Sequence, residues 1–148
     1  MIYLASDHRG MLRKEELKKV LDEMKEEYQD CGNLIYDPAD DEVDFVNRGC
    51  QRIEADTVDH KESTWGIFFC GSGVMVDVAA NRFSRIRSVL GFAKKQVEMA
   101  RHDDDVNVLC VAADFFDAEE VKKLVQTFLK TEFSGEERFR RRIAKLRG

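Results

Sequence analysis

Short apolar runs alternate along this chain with longer amphipathic stretches. The apolar runs have the length of β-strands, whereas the stretches that follow them repeat their hydrophobic positions at helical spacing. Four strand-and-helix pairs are predicted in this way, at residues 2–5 and 12–28, 66–70 and 74–81, 87–91 and 93–101, and 106–112 and 118–129. This βαβα order predicts an α/β fold.

Two of the apolar runs, WGIFFC at 65–70 and VNVLCVAA at 106–113, contain almost no polar residue. Parallel strands that helices cover on both faces have this composition. A loop around the single proline, Pro38, separates a further predicted strand at 33–36 from a helix that begins near Phe45. We therefore predict a three-layer α/β/α, doubly wound, Rossmann-like fold with a mostly parallel, five-stranded sheet and a C-terminal helix.

The composition narrows the class of protein. With 148 residues, 43% of them hydrophobic, the chain has the length of one domain and enough apolar side chains for a sizeable core, so we expect a single domain over 1–148. Acidic and basic residues are interspersed and the formal net charge is only -5 at pH 7, which disfavours nucleic acid as a partner. The sequence contains neither a signal-peptide pattern nor an apolar run of about eighteen residues. We therefore expect a cytoplasmic protein with no membrane partner.

Basic residues are concentrated near the C-terminus, where the segment RFRRRIAKLR lies in a helix predicted at 136–146. Residues four positions apart lie on one face of a helix, so Arg138 and Arg142 are expected side by side. Two guanidinium groups in this arrangement can hold one phosphate group. Binding of a nucleic acid is the weakest alternative, because no aromatic stacking platform accompanies the basic residues and the rest of the chain is acidic.

The cysteines Cys31, Cys50, Cys70 and Cys110 have neither the C-x-x-C spacing nor a nearby histidine at the spacing of a zinc finger. We therefore predict no metal site and expect reduced thiols, as in other cytosolic proteins.

Ligands of open α/β sheets bind at the carboxyl ends of the strands. The first predicted strand is followed by Ser6, Asp7 and His8, which place a carboxylate and an imidazole beside a helix start that can attract an anion. The alternative interpretation is that Ser6 or Asp7 caps the helix and that His8 has no role in a site.

The strand at 66–70 runs into the sequence Cys70-Gly71-Ser72-Gly73. Backbone amides of such a glycine-rich turn can converge on one point and stabilise an oxyanion. A thiol near a helix N-terminus is expected to have a pKa below its usual value of about 8.5, which would allow Cys70 to act as a thiolate base. The alternative interpretation is that Cys70, like the other three cysteines, is a buried apolar residue.

Five segments in this order resemble the family of ribose-5-phosphate isomerase B and the galactose-6-phosphate isomerase subunits: SDHRG, FFCGSG, AANRFSRIRSVL, DDDVNVL and TEFSGEERFRRRIAKL. The resemblance extends essentially from one end of the chain to the other. It implies an aldose–ketose isomerase that acts on a sugar phosphate through a cis-enediol, with neither metal nor organic cofactor. Ribose 5-phosphate and ribulose 5-phosphate are the best single substrate prediction.

The resemblance also implies roles for individual residues. Cys70 matches the base of the family, Ser72 matches the hydroxyl residue beside it, and Gly71 and Gly73 match the turn that stabilises the enediolate. The residues implied to contact the sugar or its phosphate are Asp7, His8, Asp44, Arg138 and Arg142. In this family two subunits share each active site, so the resemblance further implies a homodimer or homotetramer.

The chain departs from the family pattern at several positions. Asp103 lies where the family has a histidine that opens the sugar ring, and His102 precedes it by one residue. Either Asp103 takes over the acid–base role, or the loop shifts to bring His102 into the site, or ring opening is impaired. Met75 replaces a glycine of the turn, and Asp114 replaces an arginine that supports the phosphate. Two alternatives follow from these departures: an isomerase for another sugar or a hexose phosphate, and a catalytically silent subunit that binds sugar phosphates.

Overall fold

The computed structural model describes residues 1–58 and 63–147. Within these residues a single sheet of five parallel strands has the order β2-β1-β3-β5-β4. Strands β1, β3 and β5 are the long apolar runs of the sequence and are buried almost throughout, as parallel strands covered on both faces must be. The strands are β1 (Ile2–Ser6), β2 (Tyr28–Asp30), β3 (Trp65–Cys70), β4 (Ser88–Gly91) and β5 (Val108–Ala112).

Helices cover both faces of the sheet. Helices α1, α4 and α5 pack on one face around a cluster that includes Leu17, Val97 and Phe128. Helices α2 and α3 pack on the other face around Val46 and Val76. The predicted three-layer, doubly wound fold is therefore confirmed. The helices are α1 (Met11–Met24), α2 (Glu42–Val58), α3 (Val74–Ala80), α4 (Lys94–Asp104), α5 (Ala118–Lys130) and α6 (Glu137–Ala144), which a 3₁₀ turn at Lys145–Arg147 follows.

The strand predicted at 33–36 is wrong. The edge strand β2 lies earlier and begins at Tyr28, the last residue of the stretch predicted to be helical. There is room for it because α1 ends at Met24 and Lys25 adopts a left-handed conformation with φ of 59°. Strand β2 pairs with β1 so that Asp30 lies opposite Leu4, and β1 ends two residues later. Asn33 is buried and still donates its backbone N–H to the carbonyl oxygen of Ser6, the last residue of β1, at 2.7 Å. Residues 34–36 lie beyond the end of β1 and form a loop with exposed apolar side chains.

The start of α1 packs directly against the end of β3. A β-carbon built on Gly10 would lie 2.6 Å from the β-carbon of Phe69 and 2.8 Å from its carbonyl oxygen, so this position has no room for a side chain. The contact holds the connection between β1 and α1 beside the residue that follows Phe69 in the chain, which is Cys70. Across the described residues, every helix is too short or too polar to span a bilayer.

The substitution Gly10→Ala should lower the free energy of unfolding by about 1–3 kcal/mol, because the added methyl group forces the helix away from the strand. Urea unfolding followed by the fluorescence of Trp65 measures the change. The control is Leu12→Ala, two residues along the chain, where the side chain is 63% exposed and little change is expected. Equal unfolding midpoints for the parent protein and Gly10→Ala would contradict the packing constraint.

Candidate active site

The ends of β1 and β3 bring two groups of predicted site residues together. The two strands pair in parallel with Ser6 opposite Phe69. Asp7 and His8 leave β1 at this point, and Cys70 is the last residue of β3. The three side chains therefore start from adjacent positions at the carboxyl edge of the sheet, where ligands of such folds bind.

Cys70 is buried, and the turn that follows it directs a backbone donor at its sulfur. The amide of Gly73 donates a hydrogen bond to Cys70 Sγ at 3.2 Å. Gly73 has a φ of 73°, a conformation that favours glycine, and a β-carbon there would lie 2.9 Å from the backbone nitrogen of Ala112. Ser72 is exposed at the tip of the turn, and its hydroxyl accepts a hydrogen bond from the amide of Val74 at 3.3 Å.

Burial keeps the other three cysteines protonated. Burial raises the pKa of Cys31 to about 11 and that of Cys50 to about 12. Burial also raises the pKa of Cys110, whose sulfur lies 3.2 Å from the hydroxyl of Ser88 inside the core. These three thiols stay protonated near neutral pH and behave as apolar packing residues.

Asp7 is buried and closes the turn that leads into α1. Its Oδ1 accepts a hydrogen bond from the backbone amide of Gly10 at 2.7 Å. Gly10 is itself the N-cap of α1, and no side chain caps the helix, so Asp7 closes the preceding turn and does not cap the helix as the alternative interpretation proposed. Burial raises the pKa of Asp7 most, and the negative charges of Glu42 and Asp40 raise it further, while the Gly10 amide and the charge of His8 oppose the shift. Asp7 therefore keeps its proton to a higher pH than an exposed aspartate does.

His8 is held at two points by Asp40. The Oδ1 atom of Asp40 accepts the backbone N–H of His8 at 3.1 Å and lies 2.6 Å from the ring Nδ1. The side-chain hydrogen bond with Asp40 raises the pKa of His8, so the imidazolium persists to higher pH. With Nδ1 engaged, Nε2 is the ring nitrogen available to a ligand.

A hydrogen-bonded chain anchors Asp40 in turn to the protein interior. The side-chain amide of Asn33 donates a hydrogen bond to Asp40 Oδ2 at 2.5 Å. Lys14, which is fully buried, donates to the backbone carbonyl oxygen of Asn33 at 2.6 Å and to Asp30 Oδ1 at 2.8 Å. Burial lowers the pKa of Lys14, and the bond to Asp30 opposes that shift. The chain thus links the buried ammonium group to His8 through Asn33 and Asp40.

Two acidic residues lie in the first turn of α2, Glu42 and the predicted sugar contact Asp44. Asp44 lies exposed in the first turn of α2. Glu42, in the same turn, is the α2 residue whose charge acts on Asp7. Sequence reasoning missed both Glu42 and Asp40. The only signal for them was the acidic run DPADDEVD.

The remaining predicted residues form a second cluster around Phe139. The ring of His102 lies edge-on to the ring of Phe139, with 6.4 Å between centroids. The guanidinium groups of Arg138 and Arg142 lie 4.4 Å and 5.6 Å from the centroid of the same ring. Asp103 is hydrogen-bonded to His102, with 2.7 Å between its Oδ1 and the ring Nδ1. His102, Asp103 and the two arginines are therefore close together.

This second cluster lies at the opposite edge of the sheet from Cys70. Helix α4 returns from the carboxyl end of β4 to the amino end of β5, and His102 is in its last turn. The side chain of Arg87, the residue before β4, donates to the carbonyl oxygens of Asp104 and Asp105. A strand of five or six residues spans roughly 15–20 Å, so one chain does not bring the two clusters into contact.

An ion pair spans the carboxyl edge beside the first cluster. Arg9, which follows β1, pairs with Asp114, which follows β5, and β3 lies between these strands. Among the described residues, no group of three or more His, Cys, Asp or Glu side chains is arranged to hold a metal ion.

The substitution Asp40→Asn should lower the pKa of His8 toward its ordinary value of about 6.5, because the carboxylate that stabilises the imidazolium is removed. A raised pKa in the folded state stabilises the fold below the unfolded-state pKa, and this contribution disappears as pH rises through the folded-state pKa. Asp40→Asn should therefore lack this contribution, and the loss of stability should be largest below the unfolded-state pKa and disappear as pH rises through the parental folded-state pKa of His8. NMR titration of the His8 ring measures the pKa. Asp41→Asn, a change at the neighbouring exposed acid, is the control, and an unchanged His8 pKa in Asp40→Asn would refute the assignment.

Comparison with known proteins identifies the family of this chain. The sequence profile of the ribose/galactose isomerase family matches residues 2–146. The probable ribose-5-phosphate isomerase B of Mycoplasma pneumoniae is 37% identical over 145 residues, which cover 98% of this chain and 91% of that protein.

Solved structures give the same result. The crystal structure of ribose-5-phosphate isomerase B from Mycoplasma genitalium with bound ribulose-5-phosphate has a TM-score of 0.91 and 33% identity, and covers 99% of this chain and 93% of that one. The ribose 5-phosphate isomerase of Thermotoga maritima has a TM-score of 0.89 and 32% identity, and covers 98% and 95% of the two chains. This chain therefore belongs to the ribose/galactose isomerase family.

Proposed function

We propose that this protein is an aldose–ketose isomerase that interconverts ribose 5-phosphate and ribulose 5-phosphate. The observation that supports this most directly is the buried thiol of Cys70. Its sulfur accepts a hydrogen bond from the backbone amide of Gly73, and it lies beside Asp7 and His8 at the end of β1. The substrate is that of the similar proteins from Mycoplasma, one of which was solved with bound ribulose-5-phosphate.

In the proposed reaction the Cys70 thiolate removes the proton from C2 of the open-chain aldose. Negative charge then develops on O1, where amides of the turn 71–73 stabilise it. A proton moves from O2 to O1 with the hydroxyl of Ser72 as donor and acceptor, and the Cys70 thiol returns its proton to C1. The C1 carbonyl becomes an alcohol and C2 becomes the carbonyl, so protons and electrons balance. The carboxyl group of Asp7, at the end of β1 beside Cys70, can form a hydrogen bond with a sugar hydroxyl.

We assign ring opening to His102 and Asp103 acting as one unit. Their side chains are hydrogen-bonded, so Asp103 can fix the orientation of the His102 ring. This assignment joins two of the possibilities left by the sequence, in which either residue acted alone.

The proposed active unit is a homodimer in which each site takes residues from two chains. The separation of the two clusters within one chain supports this arrangement, because neither cluster alone has both the base and the paired arginines. The carboxyl edge also exposes several apolar side chains, which are typical of an interaction surface. Val74, Met75, Phe92 and Phe115 are between 46% and 74% exposed there. A second copy that covers this edge can bring its Arg138 and Arg142 to the phosphate.

Two other features bear on the proposal. Met75 lies exposed in the first turn of α3, where it can narrow the space for the sugar, so another sugar phosphate such as a hexose phosphate is the second candidate. All four cysteines are free thiols, as is usual for proteins of the cytoplasm, which we propose as the location of this enzyme.

Purified protein should convert ribose 5-phosphate to ribulose 5-phosphate, and Cys70→Ala should lower kcat by at least about a hundredfold because the base is lost. Formation of the ketose, followed with and without chelator, measures the rate. The control Cys31→Ala removes a thiol that directly follows β2, a strand separated from β3 by β1, and should keep the parental rate. A folded parent protein with no turnover would refute the substrate assignment, and a panel of hexose phosphates would then test the second candidate.

Mixing two inactive variants should restore activity if sites are shared. Cys70→Ala and Arg142→Ala alter opposite halves of the site, so co-expression should give about a quarter of the parental activity, because half of random dimers are mixed and each has one intact site. Cys70→Ala co-expressed with Asp7→Ala is the control, since both changes affect the same half. No recovery from the first mixture, with mixed dimers verified by mass spectrometry, would contradict the shared site.

A further inference from the structure

The ion pair between Arg9 and Asp114 lies directly on the turn that follows Cys70. A β-carbon built on Gly71 would lie 2.5 Å from Nε of Arg9, 2.6 Å from its Cζ and 2.8 Å from a carboxylate oxygen of Asp114. Both charged groups are therefore packed over the backbone of Gly71. Any other residue at position 71 would have to displace one of them.

Arg9 is positioned by this contact and is still open to solvent. Its side chain is 59% exposed and that of Asp114 is 37% exposed. A guanidinium group has five N–H donors in a planar fork, and the contact recorded with Asp114 uses its Nη2 atom. Arg9 therefore has donors left for a second anion without breaking its bond to Asp114.

The carboxylates at this edge oppose the binding of an anion. The negative charges of Asp40 and Glu42 act on Asp7, and Asp114 adds a fourth carboxylate. A sugar phosphate with two negative charges would be repelled by these groups. A cation of the same chain, held beside the turn that binds the reacting end of the substrate, offsets this repulsion.

We propose that Arg9 is a substrate-binding residue that contacts the phosphate of the sugar phosphate, and that Asp114 orients it. The inference rests on the proposed function, since it names the group that recognises the phosphate in that site. Arg9 contacts the phosphate through its forked donors, in a geometry that suits a phosphate better than the single ammonium group of a lysine would.

The two partners of the ion pair should affect binding in opposite directions. Arg9→Ala removes a charged donor and should raise KM for ribose 5-phosphate at least tenfold with a smaller change in kcat. Arg9→Lys should lie between Arg9→Ala and the parent. Asp114→Asn keeps an oxygen that can orient Arg9 but removes a negative charge near the phosphate, so it should lower KM a few-fold. A pair with only a structural role would instead give losses of the same sign in Arg9→Ala and Asp114→Asn.

The experiment combines these kinetics with calorimetric binding of inorganic phosphate and of ribose 5-phosphate to each variant. Arg13→Ala is the matched control, because Arg13 belongs to the same stretch of chain but pairs with Glu16 and the carbonyl oxygen of Phe116. Circular dichroism and thermal melting verify that each variant is folded. The calorimetric measurement needs no turnover, so it separates this inference from the proposed reaction.

Weaker binding of both phosphate ligands to Arg9→Ala, together with tighter binding to Asp114→Asn, would support the inference even if the parent did not isomerise ribose 5-phosphate. Parental affinities in Arg9→Ala would overturn it. Losses of the same sign in Arg9→Ala and Asp114→Asn would also overturn it, and so would a parent that binds neither ligand.

Discussion

The parallel pairing of β1 with β3 is the constraint on which the site depends. Parallel strands are joined by crossover helices, so all of their carboxyl ends meet at one edge of the sheet. The register that sets Ser6 opposite Phe69 brings Asp7 and His8 next to Cys70. Gly10 then lets α1 begin against Phe69 with no intervening side chain. A shift of either strand would separate the thiol from the polar groups beside it.

The buried ammonium group of Lys14 supports the position of His8 in the site through Asn33 and Asp40. An ammonium group without partners is costly inside a protein, so Lys14 must keep its bonds to Asp30 and to the carbonyl oxygen of Asn33. Asn33 holds Asp40, and Asp40 holds His8. The orientation of a residue at the site thus depends on a charge in the interior.

The distribution of charge is consistent with an active unit of two chains. Asp7, Asp40 and Glu42 make the surroundings of Cys70 acidic, whereas the exposed arginines of α6 lie at the other edge of the sheet, around Phe139. A dianionic substrate gains little from the first group alone. In the proposed dimer the arginines of the partner complete the site, and Arg9 joins His8 as a cation that each chain supplies to its own edge.

The hydrophobic pattern of the chain predicts the central strands and the helices, and it places the candidate residues of the first cluster at strand ends. Strands β1, β3 and β5 are apolar because both of their faces are buried, and the rule that ligands bind at strand ends led directly to Asp7, His8 and Cys70. Periodicity failed for β2, a three-residue edge strand with less apolar character than the exposed loop at 34–36. Local pattern does not reveal where the neighbouring strand ends.

Contacts between residues that are distant in the sequence become visible only in the folded chain. His8 and Asp40 are 32 residues apart in the chain, and Arg9 and Asp114 are 105 residues apart. The sequence recorded Asp114 as the loss of a cation, but the fold places Arg9 against it, so the positive charge is present on another strand end. Likewise, the fold places His102, Arg138 and Arg142 far from Cys70 within one chain, a separation that the spacing of these residues along the sequence does not show. Contacts of this kind depend on strand order and loop path, which the spacing of residues along a chain does not specify.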